Sequence, residues 1–318
     1  MSVLDGIGNT PLVELRRLVP RGSARLFMKL EWANPTGSMK DRMALAAINA
    51  AEADGRLQPG GTVVEYTAGT TGISLAFVCA AKGYGIEIVF SDAFSDEKRR
   101  TMQAYGAHIT DVPSDGGKIN EALIKEMIRV AAGITERPGH WWCDQLRNHD
   151  AVRGYVPLGN EIWEQTGGSV TAFVHAVSTA HSIHGVTQAL RAKNGGVRIV
   201  AVEPAESAVL SGRPSGSHKI EGIGIGFIPP LWQPELVDAI ETVSTEEAKA
   251  MARRLAREEG IFAGTSTGAN VVAALRVAER LGAEATVVTI AVDSGLRYLS
   301  TDVYASSPLS PLAGRGPG

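Results

Sequence analysis

The chain has 318 residues, 44% hydrophobic and 20% charged, with a formal net charge of −3. That length suits one large or two medium domains with a real core, and the near-neutral balance gives no ground for nucleic-acid binding. No run of about 18 apolar residues reads as a membrane span, no signal peptide is expected at the first residues, and two cysteines, Cys79 and Cys143, are too few for a disulfide framework, so a reduced, cytoplasmic setting is expected.

The first strong local signal is "NPTGSMKDR", residues 34–42. Pro35 and Gly37 mark a turn, and Ser38 followed three residues later by Asp41 fits a capping box. This makes Lys40 the second residue of a helix that stops near Gly55. A cation there faces the positive end of the helix dipole, so the residue is either a solvated accident or a lysine whose charge is meant to be destabilised. Downstream, short β-branched runs alternate with helical stretches. "GTVVEY" (61–66), "IEIVF" (86–90) and "HITDV" (108–112) read as strands, and helices follow in "TTGISLAFVCAAKGY", in "SDEKRRTMQAYG" and across 119–132. A seam between two α/β domains is expected between 135 and 165, where "ERPGHWWCDQLRNHD" (136–150) is polar, Trp-bearing and without a clear period. Apolar strands then recur at 170–177, 197–202 and 285–292, separated by helices near 182–193, 246–259 and 267–281. Such alternation predicts parallel sheets covered by helices on both faces. The tail 306–318, rich in Pro, Gly and Ser, is expected to be mobile.

Ligands of open α/β sheets bind beyond the carboxyl ends of the strands, so the strand-to-helix turns are the candidates. "TAGTTG" (67–72) places small residues and hydroxyls at a helix start, where a carboxylate can be held, or is a plain tight turn. "VSTAHS" (177–182) offers Ser178, Thr179 and Ser182 as a phosphate cup, or as a capping cluster. "GTSTGAN" (264–270) opens a third helix. There is no Walker A pattern and no GxGxxG after a strand, which removes the usual support for nucleoside triphosphate hydrolysis and dinucleotide binding. Of the seven histidines, His181 and His184 lie three apart with no Cys or carboxylate at ligand spacing; a surface or capping role is the plainer reading, and no metal site is expected. Cys143 beside Trp142 reads as packing.

Seven stretches in register, "IGNTPLVEL" (7–15), "NPTGSMKDR", "TAGTTGISLA" (67–76), "DQLRN" (144–148), "HKIEGIGIGFIPP" (218–230), "GTSTGAN" and "DSGLRYLSTDVY" (293–304), resemble the cysteine synthase / cystathionine β-synthase family, pyridoxal-phosphate enzymes of fold type II. The resemblance implies two domains, each a mostly parallel twisted sheet flanked by helices: a smaller one over 41–150 carrying the substrate-carboxylate loop, and a larger cofactor-binding one from 1–40 plus 151–305. It implies that Lys40 forms the Schiff base with pyridoxal 5′-phosphate and later takes the substrate α-proton. The setting of Lys40 agrees, because a helix N-terminus and partial burial both disfavour an ammonium. Ser266 matches the serine facing the pyridine nitrogen; Thr67, Gly69 and Thr71 match the carboxylate loop, Gln145 its glutamine partner, and Gly222 the active-site mouth. Departures stand beside these matches. Ala68 replaces a serine and Thr70 an asparagine that contacts the cofactor oxygen. The cup, usually Gly-Thr-Gly-Gly-Thr, reads Ser178-Thr179-Ala180-His181-Ser182, so any position with φ above zero carries strain of about 1 kcal/mol.

The implied function is β-replacement on an O-activated L-serine through an α-aminoacrylate, with sulfide giving cysteine as the family default and amino-acid biosynthesis as the setting. A different donor or a non-sulfide nucleophile, a serine/threonine dehydratase or β-lyase, and a non-catalytic homologue are the alternatives. A small amino-acid substrate, no membrane or nucleic-acid partner, and a homodimer are the expected associations.

Overall fold

The computed structural model describes residues 2–117 and 121–305. In chain order the described elements are β1 (Leu12–Leu15), β2 (Arg25–Leu30), α1 (Lys40–Ala53), β3 (Thr62–Tyr66), α2 (Thr70–Lys82), β4 (Gly85–Ser91), α3 (Asp96–Ala104), β5 (His108–Val112) and α4 (Glu121–Thr135). After them come β6 (His140–Trp142), α5 (Asp150–Arg153), α6 (Val156–Gln165), β7 (Ala172–Ala176), α7 (His181–Lys193), β8 (Arg198–Pro204), β9 (Ala239–Val243), α8 (Thr245–Arg254), α9 (Thr265–Leu281) and β10 (Thr286–Ala291). The expected tail at 306–318, and the first two residues of the helix expected over 119–132, lie outside the described residues.

Two sheets result. The smaller has four strands in the order β5-β4-β3-β6, all parallel, and the larger has six in the order β1-β2-β10-β7-β8-β9, parallel except for the β1–β2 pair. Both faces are covered, which is why β7 and β10 are buried at every position and read as continuous apolar runs. One core joins α1, α2, α6 and α7 to the sheets through Met43, Ile48, Leu75, Tyr155, Leu158 and Phe173. A second lies between the other face of the large sheet and α8 and α9, and a third between the small sheet and α4.

Three features differ from the sequence reading. The seam is not structureless: it holds β6, which pairs with β3 from Thr62↔His140 to Val64↔Trp142, and also α5 and α6. Three residues give too short a run for an alternation signal. The edge strands β1 and β9, and β2 beside β1, were also unmarked by periodicity, being half-buried and mixed in polarity. Finally, the capping box at Ser38 does not form. Lys40 is the first helical residue; its N–H donates to Ser38 Oγ at 3.2 Å, while the Asp41 carboxylate turns back to Thr36, accepting from its N–H at 2.8 Å and its hydroxyl at 2.6 Å.

Candidate active site

The first turn of α1 is clamped on both sides of Lys40. Asp41 is held by Thr36, and Arg42 donates to Glu31 at 2.7 Å and to Glu161 at 2.8 Å, all three side chains being nearly or fully buried. Charge-assisted, bidentate bonds of this kind fix geometry as well as adding stability. Met39 N–H donates to Val292 O at 3.0 Å, and Ser38 bridges Asp293, so the lysine is tied to the carboxyl end of β10. The Lys40 amine itself makes no ion pair or hydrogen bond with any described residue. Burial pulls its pKa down to about 8, with the Asp293 carboxylate acting in the opposite sense.

The turn from β3 into α2 is built on its own hydroxyls. Thr67 Oγ1 accepts from the N–H of Gly69 at 2.9 Å and of Gly72 at 3.3 Å. Thr71 Oγ1 donates to Gln145 Oε1 at 2.8 Å, and Gln145 Nε2 donates to Tyr66 O at 2.9 Å. Gln145 is held in turn by its N–H bond to Glu65 at 2.9 Å; burial pushes that carboxyl up to about 8. Thr71 and Gln145, 74 residues apart, are thus bonded directly, and Thr67 ties the turn's backbone beside them, with Ala68 exposed at the tip and Thr70 part-buried at the helix start. Gly69 has φ +130°, and a Cβ there would lie 2.3 Å from Lys98 Cδ, so the Lys98 stem occupies the space a side chain would need.

The turn from β7 into α7 is the second helix start. Its strained position is Ala180, with φ +70° in the left-handed region. The first N–H groups of α7 have no intrahelical acceptor, as at any helix start, and two hydroxyls of the turn bond imidazoles: Thr179 Oγ1 lies 2.9 Å from His181 Nδ1, and Ser182 Oγ lies 2.8 Å from His175 Nε2. Ser178 is part-buried at the rim of this turn. Both imidazoles are pushed down to about 3, by burial first and by the Lys40 charge second, and are neutral at ordinary pH. The surface or capping role read for His181 and His184 does not hold; both are buried, His181 at 1% and His184 at 8% exposure. His184 Nε2 lies 3.0 Å from the Gln188 amide one turn on.

The third helix start, α9, is tied to the segments around it. Thr267 Oγ1 accepts from Val292 N–H at 3.0 Å, Thr265 Oγ1 accepts from Glu221 N–H at 3.1 Å, and Gly224 N–H donates to Val177 O at 3.1 Å. Ser266 between them is buried, and its hydroxyl bonds no described residue. Gly222 follows Glu221 with φ +85°, and nothing lies within 4 Å of where a Cβ would stand. Lys98, from α3 of the small sheet, pairs with Glu221 and lies 5.7 Å from the Tyr298 ring centre. Tyr298 donates to Asp293 at 2.8 Å. These four residues escaped the sequence reading, since charge spacing along a helix does not reveal a partner 123 residues away. His175 had a readable signal: it is the one titratable residue in an otherwise apolar strand. Among the described residues, no group of three or more His, Cys, Asp or Glu is placed to hold a metal ion.

A profile described as pyridoxal-phosphate dependent enzyme matches residues 3–293. A curated cysteine synthase from Staphylococcus aureus is 42% identical over 306 residues, covering 96% of this chain and 97% of its own. Among solved structures, a cysteine synthase from Entamoeba histolytica superposes with TM-score 0.89 at 38% identity, over 96% of this chain and 90% of that one. An O-ureido-L-serine synthase gives 0.88 at 36%, over 98% and 97%.

Proposed function

The chain belongs to the pyridoxal-phosphate dependent enzymes, and from that membership we propose how its residues divide the work. It is an enzyme that uses pyridoxal 5′-phosphate for β-replacement. The residues fit that group: at Lys40 an amine of lowered pKa that bonds no described residue, a hydroxyl-bearing helix start at 178–182, and at Ser266 a buried residue whose hydroxyl bonds no described residue. In this reading Lys40 holds the cofactor covalently, Ser178, Thr179, Ala180, His181 and Ser182 take its phosphate, and Ser266 and Thr70 face its ring. Thr67, Ala68, Gly69, Thr71, Gln145 and Gly222 receive the substrate. The division into a lobe of 41–150 and one of 1–40 plus 151–305 belongs to the same proposal.

When bound, the cofactor supplies an electron sink for charge developing at the substrate α-carbon. Lys40, with a pKa close to 8, is matched to accept the α-proton near neutral pH. The hydroxyl of Ser266 is neutral, so unlike a carboxylate it does not enforce protonation of the ring nitrogen, which favours elimination and replacement over transamination. The N–H groups and hydroxyls of the first α2 turn bind the substrate carboxylate and so orient the α-proton.

The substrate is an O-activated L-serine, with sulfide as the nucleophile by analogy with the cysteine synthases. A second reading, another donor or a non-sulfide nucleophile, is favoured by Ala68 and Thr70 in the carboxylate loop and by the likeness to an O-ureido-L-serine synthase. A reducing cytoplasm, which suits the two free, buried cysteines, and a homodimer complete the proposal. The observation that carries the assignment is the unpartnered Lys40. Lys40→Ala is expected to abolish both the visible absorbance of bound cofactor and turnover; wild-type turnover in that variant would overturn it. Product analysis with serine, O-acetylserine and O-phosphoserine, with and without sulfide, then separates the two readings.

A further inference from the structure

Ser182 Oγ touches the buried imidazole of His175 at 2.8 Å, and the direction of that bond is set from behind. Asn270, on α9, accepts at Oδ1 from Ala176 N–H at 2.7 Å and donates from Nδ2 to Ile290 O at 2.9 Å. These two backbone partners, one on β7 and one on β10, fix which end of the amide carries nitrogen. The remaining Nδ2 hydrogen is the one available to His175 Nδ1, 3.4 Å away. Nδ1 is therefore an acceptor. A neutral imidazole carries a single proton, which must then sit on Nε2, and the low pKa of His175 keeps the ring neutral. Nε2–H donates to Ser182 Oγ, so the Ser182 hydroxyl proton is free to point elsewhere.

We propose that the Asn270–His175 pair is a positioning device that turns the Ser182 hydroxyl outward as a donor to the cofactor phosphate. The proposal rests on the reading of 178–182 as the phosphate cup. It gives a physical reason for a histidine inside an apolar strand. A cup that has replaced glycines with larger residues loses freedom to wrap its backbone around an anion, and a hydroxyl held in donor orientation restores a directed, charge-assisted bond. The Thr179–His181 contact has no comparable anchor and is not part of the proposal.

The test uses the full-length enzyme loaded with pyridoxal phosphate. Ring 15N signals of His175 are expected to report the Nε2–H tautomer; the Nδ1–H tautomer would overturn the proposal. His175→Leu is expected to weaken cofactor affinity about 10-fold or more, the scale of one hydrogen bond to a charged group, and to shift the 31P signal of the bound phosphate. His175→Gln, which keeps a donor on one side and an acceptor on the other, is expected to recover most of that loss. In a Ser182→Ala background, His175→Leu is expected to cost nothing further; an undiminished loss there marks a packing role and sinks the relay. Should His175→Leu fail to fold, the tautomer and the Gln variant still decide the matter. If Ser182→Ala and Thr179→Ala both leave affinity unchanged, the cup reading itself fails; if they weaken binding while His175→Leu does not, only the relay does.

Discussion

Ala180 holds φ at +70° with a Cβ attached, at the turn where β7 hands over to α7. Strain of about 1 kcal/mol follows from the left-handed conformation. Glycine would relieve it but would also make the unfolded chain more flexible, by 0.4–1 kcal/mol. Ala180→Gly is therefore expected to shift the denaturant midpoint of unfolding by no more than the equivalent of about 0.5 kcal/mol. Ala180→Val adds a β-branch where such residues are outliers and is expected to lose about 2 kcal/mol or more. Equal stability of the two variants would show that this turn is not held as described. That a side chain at any positive-φ position of this glycine-poor cup would be strained was legible in the sequence. The position that bears it was not, because turn conformation depends on how the following helix docks.

Helices α8 and α9 cross where Gly268 has no side chain; a Cβ there would lie 2.0 Å from the carbonyl oxygen of Ala248. Gly268→Ala is expected to destabilise by about 1–3 kcal/mol through overpacking, measurable as a lowered melting temperature, with no loss if the helices slide apart freely. "GTSTGAN" was legible as a helix start, but this glycine's reason was not, since the crossing partner lies some twenty residues upstream. The same distinction runs through the fold. Long apolar strands and amphipathic helices announced themselves, because burial on both faces writes a strong pattern. The three-residue β6 and the half-buried strands β1, β2 and β9 did not, being specified by neighbours rather than by their own period. At the site, hydroxyl-rich turns and Lys40 stood out, whereas Lys98, Glu221, Asn270 and Asp293 acquire roles only through contacts that folding creates.

Across the whole molecule, buried titratable groups set the stability profile of the cofactor-free protein. His175 and His181 fall to about 3 from an ordinary 6.5, so the unfolded chain binds more protons between those values, and stability is lost as pH falls through that window. Glu65 rises from 4.5 to about 8, so its contribution runs the other way and is lost as pH rises from 4.5 to about 8. Buried Asp41 and Asp293 are raised like Glu65 and oppose the imidazoles, while His184 is lowered and adds to them, so each contribution is read by difference between variants. Urea midpoints are expected to fall less from pH 6.5 to 4.5 in His175→Gln than in the wild type, and Glu65→Gln to flatten the profile towards pH 8; unchanged slopes in both variants would refute this account. Lys98 adds a last consequence at this scale. Its stem fills the notch at Gly69 beside the small sheet, while its charge is paired with Glu221 and its head lies 5.7 Å from the Tyr298 ring centre. Since the Glu221 end of that bridge is open to solvent, the tie it makes between α3 and the chain before Gly222 is expected to weaken as ionic strength rises.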